Sequence, residues 1–210
     1  MSEIRIYQSL AITFSLFSFC VHTSGAQQLS STPVVTSLLG KSLYPLDLPE
    51  SVHDIYIRNL EKAKMDYDNN PKNAENIIWL GRRTAYFGEY HKAIEIFSEG
   101  IKIFPDDARM YRHRGHRYIS IRKFDLAIKD LEKAARLILN KKDEIEPDGL
   151  PNYKNIPTST LQSNIWYHLG LAYYLSGNLE KAFHCYAECM NCLLYTSPSP
   201  RDATLSRMPS

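Results

Sequence analysis

Residues 74–107 read AENIIWLGRRTAYFGEYHKAIEIFSEGIKIFPDD, and residues 108–141 read ARMYRHRGHRYISIRKFDLAIKDLEKAARLILNK. Set one above the other, the two lines agree at spaced positions. Gly81 stands over Gly115, Ala93 over Ala127 and Phe97 over Leu131, each pair 34 residues apart. A third line opens at Ser163 and carries Trp166, Leu169, Gly170, Tyr173, Gly177, Ala182, Tyr186 and Cys189. Self-similarity at such a period marks an array of small units that cannot each bury an apolar face alone. Within each line the pattern asks for two antiparallel helices. Small residues (Gly81, Ala93, Gly100; Gly115, Ala127, Ala134) stand where backbones approach, and large ones (Leu80, Phe97, Tyr118, Leu131, Trp166, Tyr173) fill the spaces between.

These positions closely resemble the tetratricopeptide repeat (TPR), with its W-x2-L-G-x2-Y, then A-x3-F, a small residue and a proline. Departures are visible. Arg114 stands in place of the apolar residue in unit two, Leu139 in place of the closing proline, and Thr84 in place of tyrosine in unit one. The resemblance covers about half the chain. It implies an all-α fold, an α-solenoid of stacked helix-turn-helix repeats, with units 74–107, 108–141 and 163–191. It also implies that a protein or peptide is held on the concave face. Some repeat domains of this kind seize peptide C-termini with a Lys/Asn/Arg clamp. The matching positions here are Ile78 and Arg82, Arg112 and His116, and Tyr167 and Leu171, which is a different set. That ligand is therefore not carried over.

Working outward, residues 49–67 place Val52, Ile55, Tyr56, Leu60, Ala63 and Tyr67 at helical spacing, so a helix should pack on the first unit. The domain is thus expected over residues 49–191, preceded by an extended, poorly ordered stretch over 27–48. Residues 10–21 (LAITFSLFSFCV) form an apolar run too short to span a bilayer, and Ser24-Gly25-Ala26 follows. This reads as a signal peptide over 1–26, hence export to the periplasm, cell envelope or medium, with no transmembrane segment in the mature chain. Lipidation of Cys20 is a weaker alternative, because Phe19 stands where that processing wants a small residue. Residues 192–210 (CLLYTSPSPRDATLSRMPS) show no helical period and resemble the translation of a sequencing-library transposase adapter. On that reading the natural chain continues past Asn191, and the solenoid is truncated at its C-terminal end without a polar capping helix.

Units two and three are separated by residues 142–162, KDEIEPDGLPNYKNIPTSTLQ. Pro147-Asp148-Gly149 is a turn signal, and Pro151 and Pro157 exclude a continuous helix. Ser159 with Gln162 suggests a capping box ahead of the Trp166 helix. The insertion is either a tolerated surface loop or a shaped wall beside the groove. Its acids, Asp143, Glu144, Glu146 and Asp148, invite pairing with a basic segment.

That segment is residues 109–123, RMYRHRGHRYISIRK, which contains no acid. By repeat phase, Arg109, Arg112 and His116 fall on the concave face of unit two, beside Arg82 and Tyr86 of unit one and Asn164, Tyr167 and Tyr174 of unit three. A groove with guanidinium forks on one side and tyrosines on the other suits a peptide with acidic side chains or a free carboxylate. The competing reading is a basic face neutralised by the protein's own acids. Arg114, at a normally buried position, needs an internal partner, and the acidic insertion is one candidate.

Composition narrows the alternatives. With 25 Lys+Arg against 23 Asp+Glu, the chain is near neutral, which argues against a nucleic-acid partner. Four cysteines are too few for a disulfide scaffold. Neither His113 with His116, nor His184 with Cys185 and Cys189, has zinc-site spacing, so no metal or other cofactor is expected. No phosphate-binding loop, dinucleotide fingerprint or nucleophile elbow occurs, and no catalytic residue is assigned. The alternative in another class is an enzyme acting on a small anionic substrate, its site made of the Arg/His cluster and the insertion. It requires Arg114, His113 or His116 and the acids of the insertion to converge in one pocket.

Overall fold

The computed structural model describes residues 33–45, 48–146 and 159–196. The signal peptide expected over 1–26, the turn expected at Pro147-Asp148-Gly149 and residues 197–210 lie outside the described residues. Seven helices are present among those described: α1 (Glu50–Asn69), α2 (Ala74–Tyr86), α3 (Tyr90–Ile103), α4 (Ala108–Ser120), α5 (Phe124–Ile138), α6 (Leu161–Leu175) and α7 (Leu179–Thr196). Both helices of the second pair begin 34 residues after their counterparts in the first. The chain is an α-solenoid of helical hairpins, α2/α3, α4/α5 and α6/α7, with α1 packed on α2 as the spacing predicts.

Local chemistry starts the helices where the repeat demands. Asn73 and Asp107, also 34 apart, are N-caps. The Asn73 side chain accepts from the backbone of Glu75 and Asn76, and Asp107 accepts from Arg109 N at 3.0 Å. The turn inside each hairpin needs a left-handed residue. Gly88 (φ +76°) and Gly177 (φ +86°) supply it in units one and three, while unit two uses Arg122 at φ 63°. A side chain there costs about 1–2 kcal/mol. The Arg122 guanidinium offsets part of it by donating Nη1 to the carbonyls of Ile119 and Ser120.

The three repeat glycines occupy corresponding close-contact spots. A Cβ on Gly81 would sit 2.5 Å from the Phe97 ring, on Gly115 2.8 Å from Leu131 Cγ, and on Gly170 2.8 Å from the Tyr186 ring. In each hairpin the obstructing side chain lies sixteen residues further on, in the second helix. Gly115→Val should therefore lower stability by about 1–3 kcal/mol through overpacking. Urea unfolding checks this, and an unchanged midpoint would mean that α4 and α5 are not in contact there.

The hairpins share their cores. Met110 of unit two packs with Ile77, Ile78, Ala93 and Phe97 of unit one. Leu131, Ala134 and Ile138 of unit two pack with Ile165, Leu169 and Ala172 of unit three. Across that second junction the Tyr173 hydroxyl donates to Glu132 Oε1 at 2.5 Å. Helix α4 touches α2 and α6 directly, with no comparable contact between α3 and α5 or α5 and α7 among the described residues. The first helices close ranks and the second helices fan out, which makes the α2–α4–α6 side the inner one.

Three details differ from the sequence reading. Within residues 27–48, read as extended and poorly ordered, β1 (Val35–Thr36) and β2 (Ser42–Leu43) form a small antiparallel hairpin, with Val35 opposite Leu43. Gly40, at φ +76°, makes its turn possible. The capping box of α6 is Thr160 with Ser163, not Ser159 with Gln162. Ser159 is committed elsewhere, its carbonyl accepting from Glu146 N in a short antiparallel bridge. Helix α7 continues to Thr196, past the expected boundary at Asn191. Nothing in CLLYT breaks a helix, and the first proline comes only at Pro198.

Candidate functional site

The inner surfaces of α2, α4 and α6 carry the residues that the repeat phase singles out. Arg82, Tyr86, Arg112 and His116 converge on one cavity of about 130 Å³, together with Phe97, His113, Arg117 and His168. Arg82 spreads over the Trp79 ring at 4.4 Å and donates Nη2 to the Tyr86 hydroxyl at 3.4 Å. His113 stacks on Phe97, with ring centroids 5.5 Å apart and planes within 15°. The His116 and His168 rings stand 4.2 Å apart.

The insertion is part of this surface. Ile145 pairs with Thr160, and Leu161 N donates to Glu144 O, so the arms entering and leaving the insertion are clasped. The clasp presents Glu146 to the cleft. Its carboxylate takes Arg112 Nη2 on one oxygen and Asn164 Nδ2 on the other, the second at 2.6 Å. A single acid thereby bridges units two and three. Its flank belongs to a wider hollow of about 370 Å³ that includes Glu75, Trp79, Arg82, Arg109, His113, Glu144 and Glu146.

The other expected site residues fare differently. Arg109 is occupied. Asp107 holds it through Nε and Nη2, and Glu75, the corresponding residue one repeat earlier, holds Nη1. These acids push its pKa above the ordinary guanidinium value. Tyr167 is exposed, edge-on to His168 at 5.3 Å, and lines neither hollow. Tyr174 is exposed near the end of α6 and does not line either hollow. Arg114, expected near the insertion, faces α5 instead. It makes a forked pair with Asp130 (2.7 and 2.8 Å) and donates Nη1 to Ser98 Oγ at 3.0 Å. A forked pair needs a fixed helix-to-helix neighbour, and the α4/α5 hairpin provides one.

The groove as read from the sequence left out His113 and Arg117, which entered only through the Arg/His cluster of the enzymatic alternative, and His168. The repeat register could have found His168, since the offset that maps Gly115 onto Gly170 also maps His113 onto it. Partners fix two tautomers. A guanidinium can only donate, so Arg117 Nη2 to His116 Nδ1 (2.6 Å) makes that nitrogen an acceptor. The Asn164 carbonyl can only accept, so His168 Nδ1 carries its proton (2.6 Å). Burial, then the neighbouring Arg112, pulls the His168 pKa down to about 4. Burial with Arg112 lowers His113, and burial with Arg117 lowers His116. All three imidazoles are neutral at pH 7. Elsewhere, burial pushes the Cys185 thiol up to about 11, which marks it as packing rather than reactive. Among the described residues no cluster of three or more His, Cys, Asp or Glu could hold a metal ion.

An array of antiparallel hairpins with paired close-contact glycines and an inner layer of first helices defines a class, the helical-repeat solenoids. Residues 163–191 match a family model described as Tetratricopeptide repeat. The chain is 26% identical over 145 residues to the Small glutamine-rich tetratricopeptide repeat-containing protein 2 of Saccharomyces cerevisiae. The match takes in 69% of this chain and 36% of that protein, so the chain spans about a third of the relative's length. Two solved structures share the fold. One is a thermophilic TPR protein of Thermus thermophilus (TM-score 0.51, 17% identity, 75% of this chain and 73% of that one). The other is MamA (TM-score 0.50, 18% identity, 70% and 76%). The chain thus matches the tetratricopeptide repeat over residues 163–191 and shares the fold of tetratricopeptide-repeat proteins.

Proposed function

We propose that this protein holds an acidic segment of a protein or peptide partner in the cleft between α2, α4 and α6, and performs no catalysis. One observation carries the reading. Glu146 already seats a carboxylate of the chain itself on Arg112 and Asn164, which supports the reading that this wall suits an acid. Arg82 lines the wider hollow and donates to the hydroxyl of the exposed Tyr86, so a partner's acid would join contacts Arg82 already makes. Tyrosines of this kind add contact area at small entropy cost. A catalytic reading needs Arg114 in the same pocket as the histidines and the acids of the insertion, and Arg114 is spent on Asp130. Neutral imidazoles beside guanidiniums also lack a nucleophile to activate. The apolar run at residues 10–21 and the small residues after it support export of the mature chain. Among the described residues no helix is long and apolar enough to cross a membrane.

Binding of a fluorescent peptide library graded in acidic content tests this. Acidic peptides should bind with affinity that falls as salt rises, and Arg82→Glu should weaken them about tenfold or more through loss of a charge-assisted contact. Equal binding of neutral peptides, or indifference to Arg82→Glu, would refute it.

A further inference from the structure

The two tyrosines that line neither hollow, Tyr167 and Tyr174, belong to a different surface, the end of the solenoid formed by α6 and α7. Along α7 the stripe Ala182, Cys185 and Cys189 is buried. Beside it runs a second apolar stripe, Leu179, Phe183, Ala187 and Met190, whose members are all exposed, Phe183 to 72%. The charged residues of α7, Glu180, Lys181 and Glu188, fall outside that stripe. The Tyr186 ring, 6.2 Å from that of Tyr167, joins the stripe to the exposed tyrosines of α6. The offset that carries Gly115 onto Gly170 also carries Ile119 onto Tyr174, Ile128 onto Phe183 and Ala135 onto Met190. In unit two those residues pack into the core shared with Ile165, Leu169 and Ala172 of unit three. Unit three thus repeats the surface on which unit two seats a further hairpin, and among the described residues nothing lies over it. The three aromatic side chains alone leave on the order of 350 Å² open. With Leu179 and Met190 the face rises toward the roughly 800 Å² per partner of a stable interface, and well past a scatter of single surface apolar residues.

We propose that this end face seats a second copy of the chain, in a two-fold dimer with α7 antiparallel to the α7 of the partner subunit. The register argues for a copy. One repeat earlier the same face is covered by a hairpin of this very chain, so its shape suits helices of the same kind. Charge argues the same way. A two-fold contact sets a surface against itself, so any charge in it would meet its own sign, and this stripe has none. Ala187 lies between Phe183 and Met190 along the stripe. A two-fold axis near Ala187 lets the helices approach closely and sets each Phe183 ring beside a thioether, the partner's Met190. The opposite end of the solenoid excludes head-to-tail growth. There α1 exposes Asp54, Arg58, Glu61, Lys64 and Asp68, and an apolar face laid on them would bury charges without partners. A closed dimer covers the apolar end and leaves the polar end in water. None of the arginines of the cleft takes part, so the inference does not rest on peptide capture, and either can stand if the other falls.

Sedimentation velocity of the whole chain, from about 1 μM to about 200 μM, decides it. A reversible shift from one chain mass to twice that mass should appear, with a dissociation constant in the micromolar range. Phe183→Glu should raise that constant about a hundredfold or more, since each dimer loses two copies of a central ring. Far-UV circular dichroism of the variant should match the parent, because the ring it replaces is exposed in the single chain. Met190→Glu should weaken the dimer in the same way, and it carries the test should Phe183→Glu fail to fold. Lys64→Glu, on the polar end, should leave the dimer unchanged. A monomer at every concentration, with the face bare or covered by residues 197–210, would overturn the proposal. So would a dimer that survives both Phe183→Glu and Met190→Glu, a dimer abolished by Lys64→Glu, or assembly that grows past two chains.

Discussion

Asp130→Ala should cost about 3–5 kcal/mol, the largest loss expected from a single substitution here. The Arg114 side chain is 18% exposed and the Asp130 side chain 6%, so solvent screens their forked pair poorly. Removing the carboxylate leaves a guanidinium among Tyr111, Tyr118 and Ser98, where ring faces and one hydroxyl cannot replace a counter-charge. The repeat pattern puts an apolar residue at position 114, and this suggests the compensating experiment. Arg114→Leu combined with Asp130→Leu removes both charges and should recover most of the loss, since apolar replacement of a buried pair is often neutral. Urea unfolding of both single variants and the double variant gives the coupling energy. A loss below about 1 kcal/mol for Asp130→Ala would put the pair in the class of screened surface bridges.

Acidification should destabilise the protein well before most carboxylates titrate. Histidines 113, 116 and 168 are held neutral in the folded state and become ordinary imidazoles when the chain unfolds. The unfolded chain therefore binds more protons as pH falls below about 6.5. Stability is full above that value and is lost progressively down to the folded pKa, about 4 for His168. At pH 5, His168 alone should withdraw about 2 kcal/mol, and His113 and His116 shift in the same direction. Urea midpoints at pH 7.5 and pH 5 measure the total, and His168→Gln should flatten the profile by its own share. A midpoint independent of pH across that interval would mean that the histidines are open to water.

Much of the architecture was legible because it is written at fixed intervals. Gly81, Gly115 and Gly170 announce close approaches, and the structure meets each with a large side chain sixteen residues later. Helix α1 was visible through its apolar spacing. The inner-face positions Arg82, Tyr86, Arg112 and His116 followed from register alone and share one cavity. Charge partners were less legible, because they depend on side-chain reach across helices and not on periodicity. Arg114 found Asp130 across its own hairpin, and Glu146 found Arg112 only because the arms of the insertion are clasped at Ile145 and Thr160. His168 was overlooked since a single histidine in an apolar helix carries no pattern until it is aligned with His113. The hairpin at 35–43 was missed because two-residue strands leave almost no alternation to read.

Proton NMR of the imidazole Cε1–H resonances, followed from pH 8 to pH 4, probes the central claim at the atoms concerned. If hairpins from three successive units close Arg and His residues into one shielded cleft, His168 titrates near pH 4, and His113 and His116 also titrate below the ordinary imidazole range. Three unperturbed titrations near pH 6.5 would show that the cleft does not exist.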